Sequence, residues 1–327
     1  YKGTDVFIEV VSGGSLTITD SQESKPTETI EGGNKYKNVA NLEFPSDSNR
    51  PSRLTYYITE SSVNADGIGT TETLKKYELS DASGQLQGHI VAQHVNGAQA
   101  VVSVQSGGTF NLEGGLLTIK NWNASSAHVV NNSGTFNLKG GYICGAKTNS
   151  DGAGVYTSNL MNMTGGVIAG NYANNGAGVY VNSGTLNLSG GVISGNAIRN
   201  DIALTNNQGW GYGGGIYAFE STLNLSGDAY VTNNSLPVSC TTKGVGDHGG
   251  GGIATLYGTF TMTGGYVTGN YSDEAGGGIY AGHFDKRANA TSFQMNGGIV
   301  ASNVAETSEG GGIRVSGGTN ATFKKSD

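Results

Sequence analysis

Residues Asp247–Asn270 read DHGGGGIATLYGTFTMTGGYVTGN, and this stretch is one full turn of a repeat. Its central strand, FTMTGG from Phe260, returns as FNLEGG at Phe110, FNLKGG at Phe136, MNMTGG at Met161, LNLSGG at Leu186, LNLSGD at Leu223 and FQMNGG at Phe293. A block ending in Gly-Asn closes at Asn171, Asn196 and Asn270, and more loosely at Asn303. A block of glycines followed by an aliphatic residue and a tyrosine appears at Tyr156, Tyr180, Tyr217 and Tyr280, with Ala254 and Arg314 as variants. Each unit therefore holds three short strands with apolar residues at period two, separated by Gly and Asn.

The shortest units are 25 residues long, from Phe136 to Met161 and from Met161 to Leu186. So short a unit cannot bury its own apolar face and must stack on its neighbours. The expected fold is all-β: a right-handed parallel β-helix, a solenoid whose equivalent strands stack about 4.8 Å apart. In it the column Phe110, Phe136, Met161, Leu186, Leu223, Phe260 and Phe293 turns inward. The column Asn171, Asn196, Asn234, Asn270 and Asn303 is expected to form an amide ladder at one bend, because Asn tolerates the left-handed region and can bond to the next coil.

With 56 Gly, 4 Pro, 13% charged and 36% hydrophobic residues, the chain is neither helical nor disordered, and its glycines keep a fixed register that excludes collagen and simple linkers. A formal charge of −7 without a Lys/Arg cluster argues against nucleic acid or an anionic membrane as partner and suits a neutral one such as a glycan. No apolar run reads as a membrane insertion. Neither cysteine has metal-ligand spacing: Cys144 fills the slot of Ala169, Ser194 and Thr268, and Cys240 lies in a long loop. The five histidines show no ligand spacing either, so no metal or other cofactor is expected. A Gly/Asn/Thr-rich solenoid of this kind is expected outside the cell, secreted or displayed on a cell surface.

Residues 1–99 read as irregular N-terminal coils interrupted by loop excursions, and residues 100–327 as the regular helix. Val6–Asp20 parallels the second half of a coil, and Ala321–Asp327 is a partial one. Because a solenoid end is an unpaired sheet edge, a cap or partner before the chain is expected. Residues 21–52 are polar, hold Pro26, Pro45 and Pro51, and read as an excursion, either a loop or a small cap; Leu54–Thr59 and His89–Val104 return to alternation as irregular coils, with a second excursion around Asn64–Ser83.

Insertions are where such a fold acquires function. Two long ones, Ala197–Tyr212 and Ser235–His248, precede the glycines in consecutive coils, and a third spans His283–Ser292. The residue after the buried aliphatic of each GGGIY should point outward, giving a column Val130, Tyr156, Tyr180, Tyr217, Ala254, Tyr280, Arg314. Ala254 is a notch in it, bounded by Tyr217 and Tyr280 and overhung by Trp210, Tyr212, Asp247 and His248. An aromatic-walled cleft with a few polar groups is what a sugar site needs. Asp247 stands before the glycines where neighbouring coils have Tyr212, Asn175 and Glu274; Asp273, Glu274, Glu220 and Asp201 are the carboxylates expected nearest to it.

The GGGIY and LNLSGGVISGN coils resemble those of exported β-helix proteins of gut bacteria, a class that includes adhesins. DHGGGGI is similar to the catalytic coil of glycoside hydrolase family 136, the lacto-N-biosidases. That resemblance implies a retaining two-carboxylate hydrolysis releasing lacto-N-biose from lacto-N-tetraose, and more broadly action on β-linked, amino-sugar-containing oligosaccharides of milk or mucin. It also implies a helical companion domain or subunit capping the N-terminal end. The family pairs two Asp seven positions apart: Asp247 matches the first, the general acid/base, and the expected nucleophile falls on Ala254. Trp210, Tyr212, Tyr217, His248 and Tyr280 would hold the sugar. The competing expectation is a non-catalytic surface adhesin or glycan-binding β-helix. A pocket around Ala254 with a second carboxyl in range marks the enzyme, and an open tyrosine column marks the adhesin.

Overall fold

The computed structural model of the chain describes residues 2–3, 7–20, 25–31, 40–45, 51–63, 70–80, 89–94, 100–120, 127–199, 211–237, 248–282, 291–307, 309–317 and 320–323. Among these the protein is all-β, with strands and turns and no helix. Three parallel sheets share the repeats. The first has nine strands, among them Val179–Asn182, Ile216–Phe219, Ile253–Leu256 and Ile279–Gly282; the second has 14 and holds the F/L-N-L strands; the third is a short one of five, including Tyr271–Ser272. In the regular repeats the chain visits first, second and third sheet in that order before returning to the first. The rest of the repeat thus supplies the long crossover that a parallel pair requires.

Register follows the repeat. Phe110 pairs with Phe136, then Met161, Leu186, Leu223, Phe260 and Phe293 in one unbroken parallel ladder. All seven are fully buried. Like stacks on like, as in the Phe110–Phe136 and Phe260–Phe293 rings with centroids 5.1 and 4.9 Å apart. Burying each such side chain contributes about 1.5–3 kcal/mol. The glycines permit the close stacking of the bends: Gly191 has φ +83°, and a Cβ there would lie 2.6 Å from the Gly165 carbonyl oxygen.

At the bend after the second sheet the asparagine column is closed into a ladder. Asn196 donates its side-chain Nδ2 to the Ile168 carbonyl and to Asn234 Oδ1, each at 3.0 Å, while its Oδ1 accepts from both the backbone and side-chain nitrogens of Asn171. Asn234 and Asn270 repeat the pattern one coil later. Both donors and both lone pairs of each amide are used, which is what lets these side chains sit at zero exposure.

The described segments between residues 27 and 80, expected as excursions around one irregular coil, pair with one another. Thr27–Glu31, Thr70–Ser80, Arg53–Val63 and Asn41–Glu43 form, in that spatial order, a four-stranded antiparallel sheet. Leu54–Thr59, read from its alternation as a coil, is the middle of one of its two central strands. Alternation marks a half-buried strand but not its partner, and Pro26, Pro45 and Pro51 stand just outside strand ends, where no ladder N–H is needed. This sheet packs Leu54, Tyr56, Ile58 and Leu79 on Leu116, Cys144, Val167 and Ala169 of the second parallel sheet. Thr59 fixes it to the bend: its N–H donates to Thr232 Oγ1 at 3.1 Å, its hydroxyl to Asn233 Oδ1 at 3.0 Å, and its carbonyl accepts from Thr268.

Candidate functional site

The outward column of the first sheet is Asn131, Tyr156, Tyr180, Tyr217, Ala254, Tyr280 and Arg314. The place expected for Val130 is taken by Asn131, with Ser103 and Glu9 below it in the same ladder. Val130 pairs with Val155 and is wholly buried in the core, since the two adjacent valines of HVVNN leave the phase of alternation undetermined. The rings are in continuous contact: His128 is tilted on Tyr156 at 5.2 Å, Tyr156 meets Tyr180 edge-on at 5.3 Å, and Tyr180 stacks on Tyr217 at 5.1 Å. Exposure falls upward along the stack, from half-buried Tyr156 to 9% at Tyr180, 5% at Tyr217 and zero at Tyr280.

The notch at Ala254 is filled. The Tyr212 ring lies 5.3 Å from that of Tyr217 and 6.1 Å from that of Tyr280, bridging the two tyrosines that flank Ala254 along the column. Tyr212 is 1% exposed and Ala254 not at all, and they share an apolar cluster with Leu256, Tyr257 and Ala275. The expectation of an open cleft is therefore corrected: the missing tyrosine of one coil is replaced by a tyrosine from the bend of the coil before it. The Tyr212 backbone is held in place, donating to Asn175 Oδ1 and accepting from the Gly176 N–H, each at 2.9 Å. Gly249 makes room on the other side, for a Cβ there would meet the Tyr280 ring at 2.7 Å.

The same bend corrects a register. Tyr212 bridges to Gly249, and Gly249 to Ala275, so it is Gly249 that stands level with Tyr212. Asp247 lies two residues before Gly249 in the sequence, as Asp273 lies two before Ala275. Asp247, Trp210 and Asp201 themselves fall outside the described residues. His248 is described: it is 4% exposed, with its ring 5.8 Å from that of Tyr212. The structure thus brings Tyr212, Tyr217, His248, Ala254 and Tyr280 together as a sealed aromatic cluster.

Two carboxylate groupings lie apart from the aromatic cluster. Asp151 accepts from Asn175 Nδ2 at 2.8 Å, and burial pushes its carboxyl above the ordinary range. Burial, then the Asp151 charge, raises the Tyr180 phenol. Beside them His128, 6% exposed with Nδ1 2.9 Å from the Gly152 carbonyl, is held below its usual value by burial. Beside the third sheet the single Tyr271 O–H is shared between two carboxylates, exposed Glu306 and, at 3.3 Å, Asp273, 2% exposed. The signal for the first grouping is that Asp151, Asn175 and Tyr212 occupy one slot before the glycines in successive coils.

Among the described residues no group of three or more His, Cys, Asp or Glu is placed to hold a metal ion. A concavity of about 400 Å³ lies elsewhere, where Ala40–Leu42 meet Gly145, Lys147, Gly170 and Tyr172. No protein family, no curated protein and no solved structure matches the chain.

Proposed function

We propose that the chain is a right-handed parallel β-helix, exported by a bacterium to its surface or surroundings, that binds an amino-sugar-containing oligosaccharide without cleaving it at the Asp247–Ala254 pair. The fixed order in which the chain visits its three sheets supports the helix, and the strong preference of parallel strand–crossover–strand units for the right hand supports its handedness.

The observation that carries the functional reading is the sealing of Ala254. Retaining hydrolysis needs two carboxyl groups about 5–5.5 Å apart with a sugar between them. Position 254 offers a methyl group at zero exposure, covered by Tyr212. The binding groups in this reading are the half-exposed Tyr156 and Phe219 on the flank and Trp210 and Asp247 from the two insertions. Tyr212, Tyr217, His248 and Tyr280 form the packed layer beneath the flank. Asn182 Nδ2 donates to the Tyr156 hydroxyl at 2.9 Å, pairing a ring with an amide in the way pyranose sites do. The neutral ligand accords with the net charge of −7. A helical companion at the N-terminal end belongs to this proposal on the resemblance alone.

A second reading is favoured by Asp273 and Glu306, which share the Tyr271 hydroxyl: hydrolysis by Asp247 with one of these carboxylates in place of residue 254. Incubation with lacto-N-tetraose, followed for both binding and released disaccharide, separates the two. Binding without release is expected. Release that disappears in Asp247→Asn and in Asp273→Asn would replace the first reading with the second.

A further inference from the structure

The second parallel sheet carries another regular surface, away from the tyrosine flank. Between the inward residues of its F/L-N-L strands stand three outward columns. In the rung of Leu186 these are Thr185, Asn187 and Ser189, and in the rung of Phe260 they are Thr259, Thr261 and Thr263. From Thr185 to Asn296 every side chain of the three columns is Thr, Ser, Asn or Gln, and none is charged. The contrast with the antiparallel sheet is sharp, for there Lys75 pairs with Glu28 and Glu60, and Lys76 with Glu31 and Glu78.

The middle column is ordered by its own bonds. Asn137, Asn162, Asn187 and Asn224 each donate to the asparagine below at 2.9 Å, and Asn111 donates to Thr17. A primary amide has two donors and two lone pairs, so Asn137, Asn162 and Asn187, each donating once and accepting once, keep one N–H and one lone pair for an outside group. In the neighbouring column the Thr185 and Thr222 hydroxyls, half-buried, bond to none of the described residues. The result is a rigid grid of neutral donors and acceptors, about 4.8 Å apart up the stack and about 6.6 Å apart along each strand.

We infer that this face binds an extended, uncharged polysaccharide lying along the stack, the rungs of Leu186, Leu223 and Phe293 each offering hydroxyl and amide and the rung of Phe260 three hydroxyls. The absence of charge disfavours anionic polymers, which gain nothing there and are repelled by the net negative chain. Within the three columns no side chain from Thr185 upward is apolar, which disfavours a protein partner on them, since that would need a buried apolar centre. The inference rests on the reading of the protein as glycan-binding, but on a different sheet from the tyrosine flank.

Affinity electrophoresis of the whole chain through gels holding glycol chitin, or carboxymethylcellulose as the anionic counterpart, tests it. Retardation by glycol chitin alone is expected. Thr185→Val/Thr222→Val, which keeps shape and removes two hydroxyls, should weaken it roughly tenfold. Thr222→Glu, which places a charge on the grid, should weaken it at least as much. Circular dichroism confirms that both variants are folded, and lacto-N-tetraose binding should be unchanged in both. No retardation of the native chain, or equal retardation of native chain and folded variants, overturns the inference. Retention of glycol chitin without lacto-N-tetraose binding would leave this face standing while the flank reading fails; the converse would remove this face alone.

Discussion

Two columns of asparagine run up the repeats, one at a sealed bend and one on an open face. At the bend, Asn171, Asn196, Asn234 and Asn270 have no exposure, and their amides bond both to one another and to backbone groups. On the face, Asn137, Asn162 and Asn187 are half-exposed and bond only along the column. The same residue at the same spacing is structure in one place and available chemistry in the other, and burial decides which. The aromatic column obeys the same rule: Tyr156 at its open end is available, while Tyr212, Tyr217 and Tyr280 at its sealed end are core.

The largest expected effect lies at the sealed bend. Asn196→Ala strips partners from the Ile168 carbonyl and from two Asn171 nitrogens, all buried, and should cost roughly 4 kcal/mol in urea denaturation. A loss near that of an exposed site would break the comparison. Next comes Ala254→Asp, which the resemblance would treat as restoring a nucleophile. Under Tyr212 the new carboxylate lacks water and a partner, so the variant should lose about 3 kcal/mol and gain no disaccharide release.

A smaller effect concerns pH at the foot of the aromatic stack. Burial holds the folded pKa of His128 below its unfolded value near 6.5, so the unfolded chain binds the proton first. His128 therefore lowers stability as pH falls through about 6.5, by at most about 2 kcal/mol at pH 5. His128→Phe should remove that slope in denaturation curves taken from pH 7 to 5. Asp151 has the opposite sign: its raised folded pKa costs stability at neutral pH, and the cost is relieved on acidification. The smallest effect is on the open face, where Asn187→Ala should cost about 1 kcal/mol. Asn196→Ala should therefore cost roughly four times as much as Asn187→Ala.

Much of this architecture is legible in the residues. The inward column from Phe110 to Phe293 and the ladder from Asn171 to Asn303 follow from a strict repeat, because stacking equivalent residues leaves each column one environment. What the repeat does not encode is what covers it. Nothing in Leu54–Thr59 distinguishes an antiparallel strand from a coil, since both need only one apolar face. Nothing in the Ala254 column shows that Tyr212, 42 residues earlier in sequence, reaches over it. The absence of a side chain at Gly249 is the one local hint, because only a glycine there admits the Tyr280 ring.

The central functional claim is that the sealed Ala254 leaves a protein that binds a glycan without cutting it. Calorimetric titration of lacto-N-tetraose into the native chain, with the cell contents then examined for lacto-N-biose, tests it most directly. Saturable heat with intact tetrasaccharide recovered is the predicted result; lacto-N-biose in the cell, or no heat of binding at all, would contradict it.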